Sequence, residues 1–346
     1  MKLVFLYARE RGQTVEAFKT EGLWYLFRKM VEAGVVDAVD VVVETSRNET
    51  CTENGCSINL VTNFKEVEKI VRPGDVIWTR GGFKPWLDHI EKWVSEKHWM
   101  LFYGANTGRE RWPYWDIILH DLTGKNYIDP KGRLVIDYRK PINPEVFFYK
   151  DTERIYDVCI GASYIHDKKG QFKAVNALEY LKKKGVHLTA IMPGAYRHSE
   201  QTRAVIKKVP GLDIDIPGFV SRHEMCDIYN QSKLFLHMGS GQNDRGVLEA
   251  MACGCPCLMT QPQYHAPFTY NDNAAISLED NAPAKFAEAI LLALKRFDGE
   301  QSRLDVYEKF ITASSTNDIT LPMMDKLFTF FEKYPEADKS KLKELL

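Results

Sequence analysis

The sequence predicts an α/β protein made of two doubly wound parallel sheets. Three observations carry this reading. Short apolar runs of strand length alternate with amphipathic runs of helix length from the first residues onward. The alternation restarts near residue 156, after a stretch interrupted by Pro141 and Pro144. The 346 residues also exceed the roughly 100–200 that one domain usually holds.

In the first half, "KLVFLYA" reads as a buried strand and "TEGLWYLFRKMVEAG" as an amphipathic helix capped by Thr20 and ended near Gly34. "AVDVVVET" is a second strand and "NFKEVEKIV" a helix. Pro73-Gly74 turns the chain into a third strand, "DVIWTRGG". "PWLDHIEKWVSEK" is helical, and "WMLFYGAN", "WDIILHDL" and "GRLVIDY" are strands.

The second half repeats the rhythm without repeating the residues. Its strands are "YDVCIGAS", "VHLTAIMPG", "LDIDIPGFV", "KLFLHMG" and "PCLMT". Its helices are "FKAVNALEYLKKKG", "SEQTRAVIKKV", "RHEMCDIYNQS" and "RGVLEAMACG", followed by "PAKFAEAILLALKRF" and "LPMMDKLFTFFEKY". The expected organisation is a first domain over 1–150 and a second over 151–320. A helical segment, 321–346, is expected to pack back towards the first domain.

Bulk composition narrows the function classes. Hydrophobic content of 45% and charged content of 27% are ordinary for a globular protein. A net charge of −1 does not favour a dedicated duplex-DNA binder, whose phosphate contacts usually make it basic. Seven cysteines, an odd number without framework spacing, suggest free thiols, a reducing compartment and a cytoplasmic location. The first apolar run, "LVFLYA", stops at "RER" and does not make a secretory leader. No stretch reaches the roughly 20 apolar residues of a membrane-spanning helix. Cys253, Cys255 and Cys257 alternate in "CGCPC" and read as small buried residues entering a strand, not as metal ligands.

The chemistry concentrates in "MGSGQNDRGVLEAMACGCPCLM", residues 238–259. Ligands of open α/β sheets sit beyond the carboxyl ends of the strands, and "KLFLHM" ends here. Gly239, Ser240 and Gly241 offer accessible backbone amides, and a helix N-terminus attracts phosphate. Arg245, in the first helical turn, adds a fixed cation that can fork to phosphate oxygens. Glu249, one turn later on the same face, suits a different role, accepting hydrogen bonds from the vicinal hydroxyls of a ribose. A plain surface Arg–Glu pair would share this spacing and contribute only about 0.2–0.5 kcal/mol.

"RGVLEAMACGCPCL" resembles the carboxy-terminal signature of nucleotide-sugar-dependent glycosyltransferases with the GT-B fold, in particular the retaining family 4. The resemblance implies two Rossmann-like domains facing a central cleft, with Glu249 on the nucleotide ribose. "VCIGASYIHDKKG" resembles the family's glycine and lysine-glycine diphosphate grip, matching Gly161, Ser163, Lys169 and Gly170. "DIDIPGFVSRHEMCDIYNQSKLFLHMG" resembles the segment that meets the base through backbone, here Gly218, Phe219 and Val220. The match is strong over 215–260 and weaker before 150.

Departures from the family pattern matter as well. The usual glutamate eight residues before Glu249 is replaced by Gly241, so Asn243, Asp244 or backbone amides must meet the sugar. The usual arginine after Gly161 is Ala162, leaving Arg245 to supply that charge. An arginine before the ribose glutamate also resembles phage DNA-base glucosyltransferases. The histidine that many relatives carry in the first domain is absent, and Arg80 and Gly81 stand at that position.

On the acceptor side the candidates are Arg80, Gly81, Asn106, Trp112 and Trp115. Arg80 can steady the leaving diphosphate or orient the acceptor. Asn106 cannot act as a base, which favours retention, although Asp116 and Asp121 lie nearby in sequence. Trp112 and Trp115 flank Pro113 and suit stacking on a sugar or base. His166 and His237 read as local hydrogen-bonding groups.

The resulting expectation is a glycosyltransferase using a nucleotide sugar, UDP-linked first among the candidates, as co-substrate. No tightly bound cofactor or metal is expected. Lys169, Arg245 and Arg80 are the expected catalytic cations. The acceptor classes are a glycan, a small molecule or a modified DNA base. The alternatives are a phage-type DNA glucosyltransferase, a sugar-nucleotide epimerase or phosphorylase, and an inactive nucleotide-binding module.

Overall fold

The structure is a computed structural model, described over residues 1–7, 14–80, 87–103, 113–120, 125–161, 164–165, 171–196, 207, 209–237, 245–260, 275–278 and 282–346. The chain forms two compact units, Met1–Asn143 with Ser315–Leu346, and Pro144–Ser314. No helix among the described residues is long and apolar enough to cross a membrane.

The first unit is built on nine strands, β1 (Lys2–Tyr7), β2 (Ala38–Glu44), β3 (Glu49–Glu53), β4 (Cys56–Val61), β5 (Val76–Arg80), β6 (Met100–Tyr103), β7 (Ile117–His120), β8 (Tyr127–Ile128) and β9 (Leu134–Asp137). They lie in the order β3-β4-β2-β1-β5-β6-β7-β9-β8. The strands from β4 to β9 in that order are parallel, and β3 and β8 are antiparallel at the two edges. The alternating Val and Ile positions of these strands are buried on both faces, as a sheet covered on two sides requires.

The hairpin β3–β4 was not anticipated. Asn54 and Gly55, at its tip, both have positive φ, 48° and 77°, the backbone that a two-residue hairpin turn needs. Helix capping also differs from expectation. Thr14 caps a short helix, Val15–Lys19, by accepting the Ala17 N–H, while Thr20 ends it. The following helix is Gly22–Glu32. "NFKEVEKIV" forms one short 3₁₀ stretch, Phe64–Lys69, capped by Asn63.

The chain leaves and re-enters this unit at one polar clasp. The Ile142 N–H donates to Thr316 Oγ1 at 3.0 Å, and the Thr316 hydroxyl donates to the Ile142 carbonyl at 2.9 Å. The Tyr25 hydroxyl donates to Asn317 at 3.1 Å. The helix Leu321–Lys333 then contributes Met324, Leu327, Phe328, Phe330 and Phe331 to the first core.

The second unit has a six-stranded sheet, β10 (Tyr156–Cys159), β12 (Ala190–Ile191), β14 (Ile214–Asp215), β15 (Ser232–His237), β16 (Cys257–Thr260) and β17 (Ala275–Leu278), in the order β14-β12-β10-β15-β16-β17. All its pairings are parallel. A two-stranded ribbon joins β11 (Tyr164–Ile165) to β13 (Ala195–Tyr196). One face is covered by the helices Gln171–Lys183 and Pro283–Arg296, whose Ala174, Leu178, Phe286 and Ile290 pack on Val158, Leu234 and Leu258. The helix Glu300–Ser314 was not anticipated. "SEQTRAVIKKV" lies almost wholly outside the described residues.

Asp157 staples three neighbouring strands of this sheet. It accepts from Lys233 Nζ at 2.8 Å and from the Thr189 N–H and hydroxyl at 2.9 and 3.2 Å. Burial opposes its ionisation, but the Lys233 ammonium and the Thr189 donors outweigh burial and hold the carboxyl below its ordinary value. A carboxyl lowered on folding stabilises above its unfolded pKa, and that contribution is lost as pH falls through the folded one. Asp157→Ala should therefore cost about 1–2 kcal/mol at pH 7, allowing for the half-exposed Lys233. The gap from wild type should shrink as pH falls below about 4, measured by urea unfolding across pH.

Candidate functional site

Ligands of doubly wound sheets bind where the strand order reverses, beyond the carboxyl ends of the strands. In the second sheet that point lies between β10, which leads out through β12 to β14, and β15, which leads out through β16 to β17. Gly161 follows β10 and packs against β15. A Cβ at Gly161 would lie 2.6 Å from the ring of Phe235, and that ring is itself braced edge-on by Tyr229 at 5.3 Å. The glycine thus lets the chain pass close over the sheet.

Behind β15 stands the helix Arg245–Ala252, which carries Arg245 and Glu249. Glu249 is only 8% exposed. Its Oε1 lies 3.3 Å from Arg245 Nε and accepts a hydrogen bond from Arg222 Nη1 at 3.1 Å. A carboxylate this far from water needs such partners, because an unpaired buried charge costs several kcal/mol.

Arg222 was missed in the sequence. It opens the helix Arg222–Asn230, where Ser221 and Glu224 form a reciprocal capping box. The S-x-x-E signal of "SRHE" was legible and places Arg222 in the first turn. Its partner 27 residues away was not legible. The two helices also touch one turn further along each. Cys226 and Cys253 stand four residues beyond Arg222 and Glu249, and their sulfurs are 3.7 Å apart. The Cys253 thiol donates to Cys226 and, against the cost of burial, draws it down to about 7, while burial pushes Cys253 up. Cys255 and Cys257 are likewise buried, with thiols directed at the Ser232 and Val247 carbonyls.

The segment leading into Arg222 is specialised as well. Gly218 has φ +82°, a conformation that side chains disfavour, and its carbonyl accepts the Gly194 N–H at 2.7 Å. Phe219 is 75% exposed and Val220 is partly so. The predicted phosphate and sugar contacts, Ser163, Lys169, Gly239, Ser240, Gly241, Asn243 and Asp244, lie outside the described residues.

In the first sheet the order reverses between β1 and β5. Arg80 ends β5 there, paired in register with Tyr7 of β1 and Tyr103 of β6. Its guanidinium lies over both rings, 4.7 and 5.5 Å from their centroids, so stacking holds the cation at the strand ends. Gly81, Asn106, Trp112, Asp121 and His166 lie outside the described residues.

Two acceptor-side expectations are corrected. Trp115 is fully buried, stacked on Phe102 at 4.9 Å, and is a core residue with no surface to offer an acceptor. Asp116 precedes β7, at the end of the sheet opposite Arg80. There it accepts the Met100 N–H at 2.8 Å and pairs with Lys339 at 2.5 Å. Burial pushes its carboxyl up against the pull of Lys339, and its role is structural.

Residues 156–296 match the model of the family described as Glycosyl transferases group 1. The match lies wholly within the second unit. The whole chain has the GT-B fold. It is similar to a glycosyltransferase from Rickettsia africae ESF-5, at TM-score 0.68 and 15% identity, over 96% of this chain and 99% of that one. Anabaena Alr3699/HepE in complex with UDP gives TM-score 0.67 at 13% identity, over 95% and 100%. An α-glucosyltransferase in complex with UDP-glucose and DNA containing an abasic site gives 0.63 at 12%, over 95% and 99%. No curated protein matches the sequence.

Because Phe235 is held by Tyr229, Gly161→Ala must displace a locked ring. The expected cost is about 1–3 kcal/mol in urea unfolding, where an unconstrained glycine-to-alanine change would be neutral or stabilising.

Proposed function

We propose that this glycosyltransferase moves a sugar from a nucleotide donor, UDP-linked, to an acceptor hydroxyl with retention of anomeric configuration. The observation that carries the reading is Glu249, a buried carboxylate paired with two arginines beside the strand-order reversal of the second sheet. A carboxylate can accept several hydrogen bonds at once, so it can meet both ribose hydroxyls while its Arg222 contact persists.

In this reading Arg245, Lys169 and the amides of 239–241 take the diphosphate, and Gly161 and Ser163 lie along it. Gly218, Phe219 and Val220 meet the base, while Asn243 and Asp244 meet the sugar. Arg80 serves the acceptor or the leaving group. As the bond from the anomeric carbon to the diphosphate oxygen breaks, negative charge grows on the phosphate and the cations stabilise it. The acceptor oxygen bonds to the same face of the anomeric carbon, and its proton passes to the departing phosphate oxygen. No metal takes part.

A second reading differs only in the acceptor, a modified base in DNA. The arginine one turn before Glu249 favours it, and the net charge of −1 does not. Binding to modified duplex that weakens steeply with salt would select it.

A thermal-shift panel of UDP-, GDP- and other sugar nucleotides is the first test, since a ligand of the folded form at 100 times its Kd adds about 2.7 kcal/mol of stability. UDP sugars should raise the Tm, and no shift with any nucleotide would overturn the donor assignment. Glu249→Gln should lower kcat/KM by about ten- to hundredfold, the loss of a charge-assisted hydrogen bond, with the circular dichroism spectrum unchanged. Excess EDTA should leave the transfer rate unaltered, and the product anomer read by NMR should match the donor.

A further inference from the structure

The inference rests on the donor reading above and concerns the residue that holds Glu249 in place. Arg245 and Arg222 both approach the same oxygen, Oε1, at 3.3 and 3.1 Å. They are not equivalent. Arg245 lies four residues before Glu249 on the same helix, the less favourable order for an i,i+4 pair, since a carboxylate near the helix start and a cation near its end suit the helix dipole better. It also stands in the first turn of its helix, where a diphosphate would draw its guanidinium away from the carboxylate.

Arg222 comes from a different helix and makes the closer contact. Its backbone is fixed by the Ser221–Glu224 capping box, with Glu224 Oε2 accepting the Ser221 N–H at 2.6 Å and the Ser221 hydroxyl accepting the Glu224 N–H at 3.2 Å. One turn on, Cys226 accepts a hydrogen bond from Cys253, the residue just past the helix that carries Glu249. The arginine side chain is 21% exposed and that of its partner is 11% exposed. The pair is therefore shielded enough to be geometrically definite yet open enough to border a ligand.

We propose that Arg222 is a positioning residue for the donor site. It holds the Glu249 carboxylate ionised and in one orientation when Arg245 turns to the diphosphate, and so sets the preference for ribonucleotide over deoxyribonucleotide donors. A site built to hydrogen-bond a hydroxyl discriminates against the analogue lacking it only while its own acceptor is held in place. Without Arg222, Glu249 loses the arginine contact that comes from another helix, and the ribose contact weakens.

The test compares UDP with 2′-deoxy-UDP by isothermal titration in the wild type, Arg222→Gln and Arg222→Lys. Wild type should prefer UDP by about ten- to hundredfold, the range for one hydrogen bond to a charged group. Arg222→Gln should weaken UDP much more than 2′-deoxy-UDP and bring the ratio close to one. Arg222→Lys should restore part of it, because an ammonium supplies the charge without the fork. Should Arg222→Gln fail to fold, Arg222→Lys decides alone, with a ratio reduced but above one. Equal weakening of both nucleotides, or an unchanged ratio in both variants, would reduce Arg222 to a structural ion pair and overturn the proposal. A wild type that binds both nucleotides equally, or neither, would instead overturn the placement of Glu249 at the ribose.

Discussion

The second unit depends on one constraint, a carboxylate that folding removes from water. Glu249 is 8% exposed, and an ion so placed is tolerated only with partners of opposite charge and good geometry. Arg222 and Arg245 meet that demand and in doing so fix how two helices lie side by side. The contact continues one turn on at Cys226 and Cys253, where small sulfurs allow a close approach. An ion pair at the start of the contact and a thiol hydrogen bond one turn on give it a chemically distinct end. Arg245, at that end, starts the helix that follows β15 in the chain, and doubly wound sheets bind ligands beyond the carboxyl ends of their strands.

The same topological logic governs the first unit with a different chemistry. Its order reverses between β1 and β5, and the residue ending β5 there is Arg80, held over the rings of Tyr7 and Tyr103. Aromatic faces orient a guanidinium without neutralising it. Each sheet therefore ends in an arginine-bearing site, paired with a carboxylate in one case and with rings in the other.

The strand and helix alternation was legible because both kinds of element show their period locally. Most of Arg245–Ala252, the helix Leu321–Lys333 and the central strands fall where the apolar pattern puts them. The hairpin β3–β4 was passed over although Asn54-Gly55 announces it, because its strands are polar on one side and β3 is largely exposed. Thr14 and Thr20 are equally plausible caps by residue type, and the backbone alone decides between them. Trp115 looked available because Pro113 and two tryptophans suggested a loop, yet it leads straight into β7 and covers Phe102. Arg222 is the instructive omission. Its helix start was readable from the capping box, but its function depends on a residue 27 positions away, and pairings across elements leave no trace in local spacing.

The central claim is that Glu249 receives the ribose of a nucleotide donor. The most direct measurement is a crystal structure of the protein with UDP or a UDP sugar. The account predicts both ribose hydroxyls at about 2.6–3.2 Å from the Glu249 carboxylate, the diphosphate at the amino end of its helix, and Arg222 still bonded to Oε1. A nucleotide bound away from the β10–β15 reversal, or a ribose that meets no atom of Glu249, would contradict it.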